Sequence, residues 1–318
     1  MIDIENISIE FVIAGEPNSG FLSQIAFFKK AVDNCFDRHA QSHVVAYLGT
    51  LNEQEKKLGK WQSFLEDVDV RFVDSNLVRK EGYFAQAKAR FEHAESSNAD
   101  ICILCDADTI PLGSLDYVFE KLTDTHPVAG VIAHFPPPNL FNKGLPGFMA
   151  LGNRMLGMRL QTPYDFSLLD HGGEQDYIFK APFYINHGFI AFVRESLKKF
   201  YPTYFDIRKR LSSEFGMTDF AGQVAMPLAL KSMNMDGISL PMRYNFPNDS
   251  KAFILYPDEF DNIVFLHYLR ENNYKRREVF STPESFNFFM EKKLDKDDVD
   301  NFTQQAFLRV TRGKGYPF

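Results

Sequence analysis

The stretch Ile101-Cys102-Ile103-Leu104-Cys105-Asp106-Ala107-Asp108-Thr109-Ile110-Pro111-Leu112-Gly113 decides how the rest of the chain is read. Five apolar residues in a row, without the polar alternation of a half-solvated strand, describe a strand covered on both faces. Two carboxylates follow at once, and a Pro-Gly turn signal comes after them. Toward the N-terminus, Ile7, Ile9, Phe11 and Ile13 alternate with Ser8, Glu10 and Val12, which predicts another strand, ended by Gly15-Glu16-Pro17-Asn18-Ser19-Gly20. Phe21, Ile25, Phe28, Val32 and Phe36 then recur at helical spacing. Further strands are expected at Val44–Leu48 and Val70–Val73, with helices over the charged residues 53–66 and over residues 82–97. Short apolar strands alternating with helices specify an α/β fold, a mostly parallel sheet with flanking helices. Ligands of such sheets bind beyond the carboxyl ends of the strands, here just after Ile13, Val73 and Cys105.

The second half is less regular. Residues 135–183 carry Pro136-Pro137-Pro138 and several Gly without a sustained period, the mark of a functional loop region. Regular signals return as a strand at Tyr184–Val193, helices at Arg194–Leu211 and Ala221–Met233, and a late strand at Ile263–His267. After Thr282 the pattern predicts one or two amphipathic helices. With no internal repeat and no linker, residues 1–282 read as a single domain, in halves 1–115 and 116–282, and residues 283–318 as a C-terminal helical tail.

A chain of 318 residues buries about three quarters of its unfolded surface and needs no disulfide staples. Its 45% hydrophobic and 24% charged composition excludes a disordered chain or a fibre. A net charge of −7 argues against a nucleic-acid surface, while a phosphate-bearing ligand can still be met by a local basic site. The 33 Phe beside one Trp predict a phenylalanine-rich core. Cys102 and Cys105 form a C-x-x-C, but on a strand an offset of three sends them to opposite faces, as buried apolar thiols. No signal peptide and no apolar run of membrane-spanning length is evident, so a cytoplasmic protein is expected. The basic end Arg309-Val310-Thr311-Arg312-Gly313-Lys314 is at most a peripheral contact with a membrane.

Asp-x-Asp occurs also at Asp67/Asp69, Asp295/Asp297 and Asp298/Asp300, where polar surroundings predict solvated surface. The pair Asp106/Asp108 differs because an apolar strand leads straight into it. Two carboxylates at the mouth of a sheet repel one another unless a cation lies between them, and a hard divalent ion, Mg²⁺ or Mn²⁺, would bridge them to a diphosphate. The alternative is that the pair caps the turn and helix that follow.

The segment Ala99–Leu115 resembles the D-x-D segment of GT-A glycosyltransferases, particularly those of glycosyltransferase family 8. Three further segments agree in order: Lys88-Ala89-Arg90-Phe91, Tyr184-Ile185-Asn186-His187-Gly188-Phe189-Ile190 and Phe265-Leu266-His267-Tyr268. The resemblance implies a GT-A fold and a UDP-sugar donor. It implies a metal, Mn²⁺ or Mg²⁺, held by Asp106, Asp108 and His267, with the imidazole favouring Mn²⁺. Donor contacts are implied at Ala14, Glu16, Asn18, Arg90, Asp106, Ala107, Asp108 and Asn186, with Asn245 a further candidate on the cleft-side loop. Two departures stand out. Where the family has Asp-Gln, the chain has Gly222-Gln223, with Asp219 nearby. The family's Gly and Lys-Pro-Trp after the His are replaced by Leu269 to Arg277, which leaves Lys275 as the candidate phosphate contact.

The implied reaction moves a sugar from a nucleotide-sugar to a hydroxyl of a glycan, glycolipid or protein, with retention, in glycan or lipopolysaccharide synthesis. Gln223, Asp219 and Arg90 are the catalytic candidates. Inversion would instead require a general base, for which Asp219, Asp170 and Glu174 are available. Residues 135–183 would form the acceptor side and a lid. Competing readings are a glycosyltransferase-like binding module without turnover and a sugar nucleotidyltransferase. The latter is disfavoured because the loop after the first strand carries no basic residue.

Overall fold

The computed structural model describes residues 6–36, 42–137, 147–168, 180–217, 220–296 and 298–318. In chain order the strands are β1 Ile9–Gly15, β2 Ser42–Leu48, β3 Val68–Phe72, β4 Ile101–Cys105, β5 Thr109–Pro111, β6 Val128–Ile132, β7 Tyr164–Asp165, β8 Lys180–Ala181, β9 Ile185–Val193, β10 Gly237–Ser239, β11 Phe246–Pro247 and β12 Phe265–His267. The helices are α1 Ser19–Cys35, α2 Ser75–Glu81, α3 Phe84–Glu92, α4 Asp116–Lys121, α5 Phe148–Leu156, α6 Arg194–Phe215, α7 Ala221–Ser232, α8 Ser250–Leu255, α9 Pro257–Phe260, α10 Pro283–Met290 and α11 Val299–Thr311.

A seven-stranded mixed sheet runs β10-β6-β9-β4-β1-β2-β3. Its strands pair in parallel at β1–β2, β1–β4, β2–β3 and β10–β6, and β9 runs antiparallel to both β4 and β6. The sheet is covered on both faces, and the side-chain period of two sorts each strand between them. Phe11, Ile13, Ile103 and Cys105 join one core with α1, whereas Val12, Cys102 and Leu104 join the other with α6 and α7. The two cysteines therefore face opposite ways. Phenylalanine fills these cores as its abundance predicts, with Phe11, Phe27, Phe189, Phe265, Phe280 and Phe307 all fully buried.

Local differences have local causes. Residues 53–66 are not one helix but two short 3-10 turns, Glu53–Glu55 and Gly59–Phe64. Residues 82–97 hold α3 and a 3-10 turn, preceded by α2, which the apolar spacing does not announce. Gly82, at φ +61°, separates the two helices in a conformation that L-residues rarely adopt. Within the irregular region, Phe148–Leu156 is a helix and β7 pairs with β8; residues 138–146 and 169–179 lie outside the described residues. Asp300 is another correction. It is buried rather than solvated, because its carboxylate accepts from both the backbone and the side-chain amide of Asn273. Asp297, its near neighbour, lies outside the described residues. No helix of the described residues is long and apolar enough to cross a membrane.

A small second sheet, β11-β12-β5, fixes the site. β12 pairs antiparallel with β5 in the register His267↔Thr109, so a residue late in the chain lies beside the turn that carries Asp106 and Asp108. α11 backs this arrangement: Phe307 packs against Phe27, Phe280, Tyr268 and Phe289. Truncating a fully buried Phe removes about 3–5 kcal/mol. Phe307→Ala is therefore expected to lower the urea midpoint markedly, and equilibrium denaturation checks it. A variant as stable as the parent would show that α11 contributes no core.

Candidate metal and nucleotide site

Asp106 and Asp108 sit in the turn between β4 and β5, where the sheet ends. The backbone holds this turn tightly. Asp106 N–H donates to the Gly188 carbonyl at 3.3 Å, Thr109 Oγ1 donates to the Asp106 carbonyl at 2.8 Å, and Tyr268 N–H donates to the Asp108 carbonyl at 3.0 Å. Asp106, Asp108 and His267 each offer one ligand atom, and these atoms all lie within 4.8 Å of one another.

His267 is oriented by Asn245, a fully buried residue just after the 3-10 turn Met242–Tyr244. With Asn245 Oδ1 facing it at 3.0 Å, an acceptor, His267 Nδ1 is the donor of this hydrogen bond. His267 Nε2 then faces Asp108 Oδ1 at 3.4 Å. A neutral imidazole would present a lone pair to a carboxylate oxygen there, two acceptors with nothing between them. Either a proton on Nε2 or a cation resolves this. Burial opposes the imidazolium, yet attraction to Asp108 and Asp106 outweighs it and raises the His267 pKa. A nitrogen and two carboxylates converging in this way fit a divalent metal.

The two carboxylates differ. Desolvation raises the Asp106 pKa, with the nearby Arg90 charge acting against it. For Asp108 burial also works to raise the value, but His267 and Arg276 overcome it and hold the group well below the usual carboxylate range. Each carboxylate has its own guanidinium. Arg90, on the last turn of α3, donates from Nη1 to the Cys105 carbonyl at 2.6 Å and to Asp106 Oδ1 at 3.1 Å. Arg276 Nη1 donates to Asp108 Oδ2 at 2.5 Å.

Gly188 makes room for the imidazole. A Cβ there would lie 2.5 Å from both His267 Cε1 and Nδ1. Asn186, on the same strand β9, accepts from Gly188 N–H at 2.8 Å.

A cavity of about 520 Å³ opens at the carboxyl ends of β1 and β2, lined among others by Glu16, Asn18, Gly49, Thr50, Tyr83 and Gln86. Glu16 accepts from Asn18 Nδ2 at 2.9 Å, while Asn18 Oδ1 caps α1 by accepting from Phe21 N–H at 3.0 Å. The Ala14 carbonyl accepts from the Tyr83 hydroxyl at 3.3 Å. Burial, then the Asp106 charge, pushes the Tyr83 phenol up to about 12. Gln86 Oε1 is buried without a partner in the structure, a polar atom a ligand could satisfy.

Lys275 is exposed and pairs with Glu278 at 3.3 Å; its neighbour Arg276 is the residue that reaches the carboxylates. Three cations in a row, Lys275-Arg276-Arg277, mark the segment in sequence without saying which one turns inward. Gln86 has no comparable signal, being a glutamine in an alanine-rich helix. Gln223 is half-buried in the first turn of α7, beside Gly222. At Gly222 a Cβ would meet the Tyr204 hydroxyl at 2.7 Å and His187 at 3.4 Å. His187 itself is pushed down to about 3, first by burial and then by Arg90 and Arg208, and its Nε2 has no partner in the structure. Ala107 lies buried between the two carboxylates, its carbonyl accepting from the Tyr268 hydroxyl at 3.3 Å. Asp219, Asp170 and Glu174 lie outside the described residues.

No protein-family model matches the sequence, and no curated protein matches it. Solved structures do. The galactosyltransferase LgtC, solved with donor and acceptor sugar analogues, superposes with a TM-score of 0.52 at 15% identity, over 96% of this chain and 95% of LgtC. The bifunctional glycosyltransferase WbbM gives 0.54 at 14% identity over 92% of this chain and 53% of its own. Mouse xyloside xylosyltransferase 1 gives 0.50 at 9% identity over 82% of this chain and 97% of its own. The fold is thus that of GT-A glycosyltransferases.

Because Gly188 cradles His267, Gly188→Ala is expected to leave the protein folded while displacing the imidazole. Stabilisation by Mn²⁺, read as a thermal shift, should then fall to that of His267→Ala. A full Mn²⁺ shift in Gly188→Ala would show that His267 is not held as described.

Proposed function

We propose that this GT-A-fold protein is a metal-dependent glycosyltransferase that moves a sugar from a UDP-sugar to an acceptor hydroxyl of a glycan, glycolipid or protein. The observation that carries this reading is the convergence of Asp106, Asp108 and His267 at the sheet mouth, at the same edge as the cavity lined by Glu16, Asn18 and Gln86. A nucleoside would occupy that cavity and its diphosphate would extend toward the carboxylates. A neighbour of the same fold, LgtC, was solved with donor and acceptor sugar analogues, which is in keeping with this reading.

Asp106, Asp108 and His267 would hold the metal, Mn²⁺ being favoured by the imidazole. Bound there, the ion would supply Lewis-acid stabilisation of the diphosphate leaving group. The chain's own groups do the rest. Arg90 orients Asp106 and opposes the desolvation that raises its pKa, and Asn245 fixes which nitrogen of His267 faces the site. Arg276, in place of Lys275, offers positive charge to the departing diphosphate, which develops charge as the anomeric bond breaks. Asn186 accepts from Gly188 N–H within β9, and Gln223 is the candidate contact to the sugar. Retention at the anomeric carbon is the outcome this reading takes, on the sequence's resemblance to family 8.

Thermal stabilisation by UDP tests this with Mn²⁺, with Mg²⁺ and with chelator, on the parent and Asp108→Ala. At about 100 times its dissociation constant a ligand adds roughly 2.7 kcal/mol. The expected result is a shift that needs both the metal and Asp108, followed by metal-dependent release of sugar from one member of a UDP-sugar panel. UDP binding without sugar release or transfer would instead identify a binding module. An equal shift in chelator and in the variant would remove the metal site.

A further inference from the structure

Arg276 and Arg90 each answer one carboxylate, but they are held very differently. The Arg90 side chain is 6% exposed and anchored on the Cys105 carbonyl as well as Asp106. The Arg276 side chain is 33% exposed, and its ion-pair partners are two carboxylates, Asp108 at 2.5 Å and Glu271 at 3.8 Å. The backbone beneath it is fixed. Arg276 N–H donates to Glu271 Oε1 at 3.0 Å, and the Arg276 carbonyl accepts from Gln24 Nε2 at 3.2 Å. Next to it, the Arg277 guanidinium lies 3.7 Å from the centre of the Phe21 ring, and its carbonyl sits where a Cβ on Gly20 would come within 2.6 Å. The loop is therefore clamped to the first turns of α1, and the free part is the Arg276 side chain.

That side chain pairs directly with Asp108 Oδ2. A positive charge already seated on a carboxylate lowers that carboxylate's attraction for a second cation. A diphosphate arriving in the adjacent cleft offers the guanidinium a better, bidentate partner. We propose that Arg276 couples the two ligands: it holds down metal affinity while paired with Asp108, and releases Asp108 to the metal when a nucleoside diphosphate draws the guanidinium away. The proposal rests on the donor-site reading above and adds an order and a sign to it. Coupling of this kind is reciprocal, so metal must raise nucleotide affinity by the same factor.

The test is calorimetric titration of Mn²⁺ into the full chain, with and without saturating UDP, for the parent, Arg276→Gln and Arg276→Lys. In the parent, UDP should tighten Mn²⁺ on the order of tenfold, a usual size for such coupling. Arg276→Gln should bind Mn²⁺ alone more tightly than the parent and UDP alone more weakly, with a smaller UDP enhancement of Mn²⁺ than in the parent, the remainder coming from direct contact between metal and diphosphate. Arg276→Lys, which keeps the charge, should restore weak Mn²⁺ binding in the absence of UDP. Opposite signs on the two ligands separate this role from a structural one, which would weaken both. Arg276→Gln binding Mn²⁺ alone no better than the parent, or keeping the full UDP enhancement, would overturn the proposal. Either of those outcomes spares the donor-site reading, which needs metal and UDP to strengthen one another but not through Arg276. A parent that binds no UDP under any metal condition overturns both.

Discussion

The antiparallel pairing of β12 with β5 is the contact on which the site depends. Three residue pairs, ending at His267↔Thr109, carry the imidazole to carboxylates about 160 positions earlier in the chain. The hydrogen bond from Tyr268 N–H to the Asp108 carbonyl extends the pairing one residue further, onto the carboxylate turn itself. A slip of one residue in this register would turn His267 to the opposite face, since side chains alternate along a strand. Gly188 and Asn245 then act on an imidazole that is already in place. Gly188 opens the space, and Asn245 chooses the nitrogen that faces the carboxylates.

So short a sheet needs support from behind, and the phenylalanine-rich core supplies it. Phe265 on β12 lies beside Phe11 of β1, Phe28 of α1 and Phe189 of β9, so the small sheet rests directly on the large one. Tyr268 packs on Phe280 and Phe307, which ties the residue after His267 to the C-terminal helix. The loop that follows is held from the same side. Asp300 accepts two hydrogen bonds from Asn273, and Lys292 Nζ donates to the Asn273 carbonyl at 2.8 Å. Residues 283–318 thus share a core with β1 and α1 and brace the segment that presents Arg276. Charge at the site follows from this bracing: two carboxylates held close by backbone are each met by a guanidinium placed by a different element, Arg90 from α3 and Arg276 from the braced loop.

Periodicity and residue type by themselves determined the α/β class, the placement of most strands and long helices, and the carboxylate pair at the end of β4. These are legible because a strand covered on both faces must be apolar throughout, and because turn and cap chemistry is local. The late histidine was found through its order among four segments. Tertiary structure decided what depends on direction. Whether Lys275 or Arg276 turns inward is set by the clamp of that loop onto α1, since neighbouring residues in a loop obey no period. Gly222 has no room for a side chain because Tyr204 and His187, from two other elements, fill the space it would need. Asp300, one of three look-alike acidic pairs, is buried because a distant loop brings Asn273 to it. The choice of nitrogen on His267 was settled by Asn245, which is 22 positions away in sequence and 3.0 Å away in space. Local sequence carries pattern and chemical type, whereas partners brought from distant positions exist only once the chain has packed.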